Sequence, residues 1–127
     1  MHLLSNMVSI IKVGYNAKHL QVVVQNSKIC ANVLNILYRL GYIRGYVLKD
    51  KKNIIVLLKY SNNKSVIRNI GVVSTPGRRT YLKYSKLDNI LKKKDSGFLI
   101  LSTSRGLLTD EESFLFRTGG EVLIKIS

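Results

Sequence analysis

The chain lacks the residues on which several classes of protein depend. Of its 127 residues one is cysteine, so Cys30 can form neither an internal disulfide nor a cysteine-rich zinc site. Tryptophan is absent and proline occurs once. No apolar run approaches the roughly 20 residues that a membrane-spanning helix requires. Hydrophobic residues still make up 46% of the chain, and they lie in short, punctuated segments that are typical of a globular α+β protein with a packed core.

Acidic residues are also scarce. Seven Asp and Glu stand against 21 Lys and Arg, which gives a formal net charge of +14. A charge of this size favours an acidic polymer as the partner. The frequent Asn, Ile, Lys and Tyr have A/T-rich codons, which indicates an A/T-rich genome such as that of an organelle.

The residues for catalysis are poorly represented. The histidines are His2, at the terminus, and His19, in a polar loop. The acids at 110–112 fall in the predicted first turn of a helix, where they complement the helix dipole; a metal site is the alternative interpretation. Neither a Gly-x-Ser-x-Gly elbow nor a phosphate-binding or dinucleotide-binding glycine motif occurs. The sequence therefore predicts a protein that is not an enzyme and that uses no metal, cofactor or small-molecule substrate.

Apolar periodicity and turn residues predict the first half of the chain. The predicted elements are a helix over 1–13 ended by Gly14, a strand over 20–24, a helix capped by Ser27 and running to about Leu40, and a hairpin of strands over 42–48 and 54–60. Cys30 lies on the apolar stripe of the second helix, so it is interpreted as a small buried hydrophobe. The polar residues at 61–64 are interpreted as a linker between two halves.

The second half is predicted to be mostly strands. The predicted elements are a strand over 66–73, a Pro-Gly turn at 74–79, a strand over 81–84, a helix over 87–94, a strand over 98–101, a short helix after Thr109, and a strand over 122–126.

The stretch at 102–110, Ser-Thr-Ser-Arg-Gly-Leu-Leu-Thr-Asp, is the centre of the chain. Its first five residues, 102–106, are here named the serine loop. Three hydroxyls can hydrogen-bond a base edge or a sugar hydroxyl, and Arg105 can face a phosphate or a base plane. Gly106 permits close backbone approach and positive φ. A Ser/Thr turn that merely caps the following helix is the alternative.

These residues carry a resemblance to the small-subunit ribosomal protein S8 family. The matching segments are Ser102–Asp110 followed by Gly119-Gly120-Glu121, then Ser-Thr-Pro-Gly-Arg-Arg-Thr-Tyr at 74–81, Ser27-Lys28 leading into Ala31-Asn32-Val33-Leu34, Gly41-Tyr42-Ile43, and Leu58-Lys59-Tyr60. They occur in order over nearly the whole chain, and the serine loop is the most specific of them.

The resemblance implies a primary rRNA-binding protein that docks on a helix in the central domain of small-subunit rRNA, beside neighbouring ribosomal proteins. It implies two closely packed α+β halves, an N-terminal split β-α-β-like half over 1–61 and a mostly β C-terminal half with short helices over 65–127, which carries the main RNA site.

The resemblance also implies roles for individual residues. The implied rRNA contacts are Ser102, Thr103, Ser104, Arg105 and Gly106 in the serine loop, Thr75, Pro76, Gly77, Arg78, Arg79 and Tyr81 in a second region, and Lys28 and Lys12 in the first half. Glu121 is implied to brace the serine loop from behind, and we expect it to hydrogen-bond Ser102 or a nearby tyrosine.

Three departures from the family pattern bear on the source of the chain. The first helix lacks the Asp-x-x-Thr-x-Ile-Arg-Asn pattern and leaves Lys12 as its basic candidate, Leu82 stands where a basic residue is common, and the segment 92–98 lacks a Gly-Leu-Gly. This divergence and the codon bias favour a mitochondrial ribosome over a plastid or bacterial one. Because no removable targeting segment is visible, we expect synthesis inside the organelle.

Two other functions remain open on the residues alone. A basic RNA- or DNA-binding module outside the ribosome would have the same charge, and a metal-dependent nuclease would use the acids near Asp110. The run at 92–94 is the densest cluster of lysines, and we interpret it as a solvated helix end rather than as the RNA reader.

Overall fold

The computed structural model describes residues 2–93 and 97–127 of the chain. Helices and antiparallel sheets occur together in them, which confirms the α+β class. The chain divides into two compact units, Met1–Asn69 and Ile70–Ser127. The domain boundaries at 1–61 and 65–127 stay a prediction. Among the described helices, none has both the length and the apolar content for crossing a membrane.

The first unit is a three-stranded sheet with two helices. Its elements are α1 (His2–Asn16), β1 (Gln21–Gln25), α2 (Lys28–Arg39), β2 (Ile43–Leu48), β3 (Asn53–Leu58), β4 (Tyr60–Ser61) and β5 (Lys64–Ser65). Strand β3 lies between β1 and β2 and is antiparallel to both. Strands β1 and β2 are therefore parallel and joined through α2, which is the split β-α-β arrangement that the resemblance implies.

The helix α1 continues past the glycine that was expected to end it. It runs to Asn16, so the predicted end at 13 is wrong. Gly14 is buried inside the helix, and a Cβ there would overlap the side chain of Val22 and lie 3.1 Å from Leu58 Cδ1. Glycine at this position allows α1 to pack closely against the sheet, and this packing outweighs its low helix propensity.

The predictions for α2 are confirmed. The side chain of Ser27 accepts a hydrogen bond from the Cys30 backbone N–H at 3.2 Å, which caps the first turn. Cys30 is fully buried. Gly41 follows the helix with φ +82°, in the left-handed region that glycine adopts at helix ends.

The hairpin of β2 and β3 is also confirmed, and Asp50 shapes its turn. The Asp50 carboxylate accepts hydrogen bonds from the backbone N–H groups of Lys52 at 2.8 Å and Asn53 at 2.9 Å. The pKa of Asp50 is lowered below its ordinary value, mainly by the hydrogen bond from the Lys52 N–H and next by one from the Asn53 side chain.

The segment 61–64, predicted to be a linker, is the turn of a second hairpin. Tyr60 pairs with Ser65 and Ser61 with Lys64. Asn62 and Asn63 both have positive φ, 53° and 64°, as a two-residue primed turn requires. Asparagine tolerates this conformation, so a polar stretch that resembles a linker forms a tight turn.

The second unit is a five-stranded sheet with two short helices. Its elements are β6 (Ile70–Val72), β7 (Tyr81–Leu82), α3 (Tyr84–Lys93), β8 (Phe98–Thr103), β9 (Gly106–Thr109), α4 (Asp110–Leu115) and β10 (Gly120–Ile126). The order is β6-β10-β8-β9, and β7 also pairs with β10. Leu87, Leu101 and Val122 form a buried cluster in this unit.

Two predicted strands of the second half are shorter than expected. The strand over 66–73 is confined to β6, Ile70–Val72, and the Val66 N–H instead donates to the Lys59 carbonyl at 3.2 Å. The strand over 81–84 ends at Leu82, and Tyr84 begins α3 instead of Leu87. The ring of Tyr84 stacks on that of Phe114 with centroids 5.7 Å apart, a tertiary contact that local periodicity does not reveal. The predicted last helical residue, Lys94, lies outside the described residues.

Candidate nucleic-acid interface

The serine loop is the tip of a β-hairpin. We expected the loop to lead directly into a helix, but β9 intervenes and pairs with β8 from Thr109 opposite Ile100 to Gly106 opposite Thr103. Gly106 has φ +101°, which makes glycine the favoured residue at the closing position of the turn. Because the hydrogen-bonded strands β8 and β9 hold both ends of the serine loop, the loop is more rigid than a strand-to-helix connection would be.

The three hydroxyls of the serine loop have different environments. Thr103 Oγ1 donates to the Gly106 carbonyl at 2.8 Å and accepts from the Arg105 N–H at 3.1 Å, so this hydroxyl closes the turn. Ser102 and Ser104 are exposed, and neither of their hydroxyls hydrogen-bonds another described residue. Ser102 and Ser104 therefore offer both donor and acceptor capacity to a ligand.

Arg105 lies over an aromatic ring. Its guanidinium carbon is 5.1 Å from the centroid of the Phe116 ring at the end of α4, within the range of a cation–π contact. Phe116 is 49% exposed. The contact orients the arginine while leaving its donors available. Sequence reasoning missed Phe116, since nothing local links a helix-end phenylalanine to a hairpin tip.

Residues 74–80 form the second exposed loop, here named the Pro-Gly loop. Thr75 and Arg78 exchange backbone hydrogen bonds of 3.1 and 3.0 Å around Pro76 and Gly77, which confirms the predicted turn. Thr75, Pro76, Gly77, Arg78 and Arg79 are all exposed.

Ser74 holds the base of the Pro-Gly loop. Its hydroxyl is fully buried, accepts from the Thr80 N–H at 2.9 Å and donates to the Thr80 carbonyl at 3.2 Å. The Thr80 carbonyl also accepts from the Val122 N–H at 2.9 Å, which ties the loop to β10. Sequence reasoning took Ser74 as part of the turn and did not identify this anchoring role.

Strand β10 lies between the two loops, and its residue Glu121 contacts both sides. It is opposite Tyr81 of β7 on one side and opposite Ser102 of β8 on the other. Its carboxylate pairs with Arg79, with 3.3 Å between Nη1 and Oε2, and its side chain is only 14% exposed. The expected partner was Ser102 or a tyrosine; the observed partner is Arg79.

The two glycines before Glu121 allow this close approach. A Cβ on Gly119 would overlap the Leu82 carbonyl, and a Cβ on Gly120 would overlap the Ser102 carbonyl. A side chain at either glycine would therefore push the neighbouring strands away from β10. With glycine at both positions, Glu121 lies between β7 and β8.

The acidic residues 110–112, which offered a metal site as an alternative, lie in the first turn of α4. Thr109 Oγ1 accepts from the Glu112 N–H at 3.2 Å, and Glu112 Oε1 accepts from the Thr109 N–H at 3.1 Å, a capping box. Within the described residues no three His, Cys, Asp or Glu side chains are grouped in a way that would hold a metal ion. His19 is exposed in its loop, and the side chain of His2 is outside the described part.

The remaining basic candidates belong to other parts of the chain. Lys12 is exposed on α1, and Lys28 is the exposed first residue of α2, so both belong to the first unit. Lys92 and Lys93 end α3, and Lys92 pairs with Asp88 at 3.2 Å, one helical turn away.

Comparison with known proteins shows the family of the chain. The family model described as Ribosomal protein S8 matches residues 2–127. The chain belongs to this family. It is 71% identical to small ribosomal subunit protein uS8m of Acanthamoeba castellanii over the full length of both chains. It is 42% identical to uS8 of Gluconacetobacter diazotrophicus, over 97% of this chain and 95% of that protein, and 40% identical to uS8 of Malacoplasma penetrans, over 94% and 93%.

Proposed function

We propose that this chain binds the central domain of small-subunit rRNA through a surface that the serine loop and the Pro-Gly loop form together. As a member of the S8 family the protein is a structural constituent of the small ribosomal subunit and is not an enzyme. Its 71% identity to uS8m of Acanthamoeba castellanii assigns it to the mitochondrial ribosome.

The observation that carries the proposal is the position of Glu121. One strand residue is paired laterally with Tyr81, beside the Pro-Gly loop, and with Ser102, in the serine loop, while its carboxylate binds Arg79. The two polar loops therefore keep a fixed spacing at one end of the neighbouring strands β7, β10 and β8. A fixed spacing is what a site needs if it is to recognise one RNA shape rather than any phosphate backbone.

The proposed chemistry divides between two kinds of residue. Ser102 and Ser104 contact a base edge or a 2′-hydroxyl, while Arg78, Arg79 and Arg105 neutralise phosphates or stack on a base plane. A regular A-form major groove is too narrow for side-chain readout, so the target is an irregularly paired helix whose base edges are accessible.

The full proposed contact set extends beyond these residues. It comprises Ser102, Thr103, Ser104, Arg105 and Gly106, then Thr75, Pro76, Gly77, Arg78, Arg79 and Tyr81, with Lys12 and Lys28 on a further stretch of rRNA backbone. Thr103, whose hydroxyl closes the turn, acts through its backbone and its methyl group. Tyr81 is 68% exposed beside Glu121, which supports a stacking role for its ring.

Salt titration tests whether the binding is specific. A net charge of +14 makes non-specific binding fall steeply with salt through counterion release. Cognate rRNA should keep a margin on the order of 4 kcal/mol over random duplex, by analogy with specific protein–DNA sites. The measurement is the dissociation constant for both RNAs at two salt concentrations. Equal affinities at both would contradict specific docking.

A second experiment separates the ribosomal function from its alternatives. The protein should remain with small ribosomal subunits through a high-salt wash, whereas a free basic module would be released. A nuclease would show turnover that is lost when Asp110 or Glu112 is changed, and the ribosomal protein has no such turnover.

A further inference from the structure

Strand β1 forms one edge of the sheet in the first unit. The Leu58 N–H donates to the Leu20 carbonyl at 3.0 Å, and the Asn26 N–H donates to the Lys52 carbonyl at 2.7 Å. These bonds set the phase of the antiparallel ladder, in which every second residue bonds the partner strand. The N–H and C=O groups of Gln21, Val23 and Gln25 therefore point away from β3, toward the open edge.

This edge lacks the features that keep other sheet edges from pairing. Its sequence is Gln-Val-Val-Val-Gln, without charge, proline or register shift. The opposite edge strand, β2, contains Arg44, is followed by Lys49, and has a register shift between Ile43 and Gly45. Charges and bulges protect edges from adding another strand. The β2 edge is protected in this way and the β1 edge is not.

A groove runs beside the open edge. It lies between α1 and β1, has a volume of about 430 Å³, and includes Ile10, Val13, Gly14, His19 and Val22 in its lining. Val13 is 63% exposed there. The close approach of α1 at Gly14 sets the floor of the groove against Val22.

We propose that the β1 edge binds an extended, alternately apolar segment of a neighbouring protein, which joins the sheet as an added strand. The backbone of the segment bonds the free groups of Gln21, Val23 and Gln25. Since side chains of a strand alternate between faces, every second side chain of the segment enters the groove against Ile10, Val13 and Val22. This protein contact is additional to the proposed rRNA site.

Charge distinguishes this surface from the RNA-binding surface. In a chain of net charge +14, the described residues that line the groove include no Lys, Arg, Asp or Glu. The lining therefore offers no cation to a phosphate, whereas an uncharged apolar strand gives up no hydration of charged groups when it enters. The surface is complementary to a protein segment rather than to RNA.

Two variants test the contact by different means. Val23→Pro removes an N–H that faces the open edge and leaves the ladder bonds to β3 intact. Leu48→Pro is the matched control on the β2 edge. Because the Lys49 N–H donates to the Asn53 carbonyl, the N–H of the preceding residue, Leu48, faces away from β3. Val13→Glu places a charge in the groove, and Asn16→Glu places the same charge on an exposed position of the same helix.

The readout is photo-cross-linking in assembled small ribosomal subunits, from a photoreactive residue placed at the exposed position of His19. We expect a cross-link to another protein. Its yield should fall roughly fivefold or more in Val23→Pro, as the loss of one protein–protein hydrogen bond would give, and similarly in Val13→Glu, which places a charge against apolar side chains. The yield should be unchanged in Leu48→Pro and Asn16→Glu.

All other outcomes overturn the proposal. These are a cross-link to rRNA, a cross-link to a second copy of this chain, no cross-link, or a protein cross-link that Val23→Pro and Val13→Glu leave unchanged. Val23→Pro and Leu48→Pro should keep the affinity of the unchanged chain for small-subunit rRNA, and Val13→Glu should have the same rRNA affinity as its charge-matched control Asn16→Glu. A failure of the rRNA proposal is therefore measured separately from a failure of this one.

Discussion

Arg79 and Glu121 are 42 residues apart in the chain, and their side chains form an ion pair with 3.3 Å between Nη1 and Oε2. Glu121 is largely buried, whereas Arg79 is half-exposed and keeps donors free. The pair connects the Pro-Gly loop to the strand that also pairs with the serine loop. Glu121 thereby adds an acidic group to a surface whose exposed Arg78, Arg79 and Arg105 suit an anionic partner.

Glu121→Gln should keep the fold and weaken binding to cognate rRNA roughly fivefold. The charge that orients Arg79 is lost, and a half-exposed ion pair contributes up to about 1 kcal/mol. The measurement is a titration against cognate and random RNA. Asp88→Asn, which breaks the exposed pair with Lys92, is the control for the added net charge. Equal effects of the two variants on cognate RNA would show that Glu121 acts only through charge.

Ser104→Ala should weaken cognate binding selectively, by roughly 1–3 kcal/mol if the hydroxyl contacts a base. The salt dependence should stay unchanged because no charge is removed. Removing Lys92, Lys93 and Lys94 together should lower the salt slope and weaken cognate and random RNA alike. If the triple change abolishes discrimination and Ser104→Ala has no effect, the serine loop is not the reader.

Ser74→Ala should destabilise the protein by about 1–3 kcal/mol, because the Thr80 N–H loses its acceptor in a part-buried site, whereas the Thr80 carbonyl keeps its bond from the Val122 N–H. Ser113 is the matched control, since its hydroxyl is also fully buried but has no hydrogen-bond partner among the described residues. Ser113→Ala should cost less than Ser74→Ala in the free energy of unfolding, measured by chemical denaturation. A larger cost for Ser113→Ala would contradict this assignment.

Tyr15→Phe should destabilise the first unit by roughly 1–3 kcal/mol. The Tyr15 hydroxyl donates to the Tyr42 carbonyl at 3.0 Å and accepts from the Lys59 N–H at 3.2 Å, so it links three segments. The control is Tyr60→Phe, since the Tyr60 hydroxyl donates to the His19 carbonyl on the surface. Chemical denaturation of both variants measures the free energy of unfolding, and Tyr15→Phe should lose more of it than Tyr60→Phe.

The same tyrosine predicts a pH dependence. Burial raises the pKa of Tyr15 above its ordinary value of 10.0. The protonated form is therefore favoured by folding, and its contribution is complete below about pH 10 and is lost as the pH rises through the raised pKa. The stability of the unchanged chain should fall toward that of Tyr15→Phe in this alkaline range. A constant difference between them would contradict the prediction.

The sequence by itself determined the local elements and the family. Ser27, Gly41 and the apolar stripe between them specify α2, because capping and periodicity act within a few residues. The turns at Asp50 and at Pro76-Gly77 are local in the same sense. The residues of the serine loop and the Gly-Gly-Glu motif carried the resemblance that the comparisons confirmed.

Only the tertiary structure decided how distant segments meet. Gly14 sits inside a helix because α1 packs against Val22, and Arg79 rather than Ser102 binds Glu121 because β10 brings the Pro-Gly loop alongside it. The serine loop became a hairpin tip because β9 pairs with β8. These outcomes depend on backbone approach and ladder register between segments far apart in the chain, and neither periodicity nor composition encodes them locally.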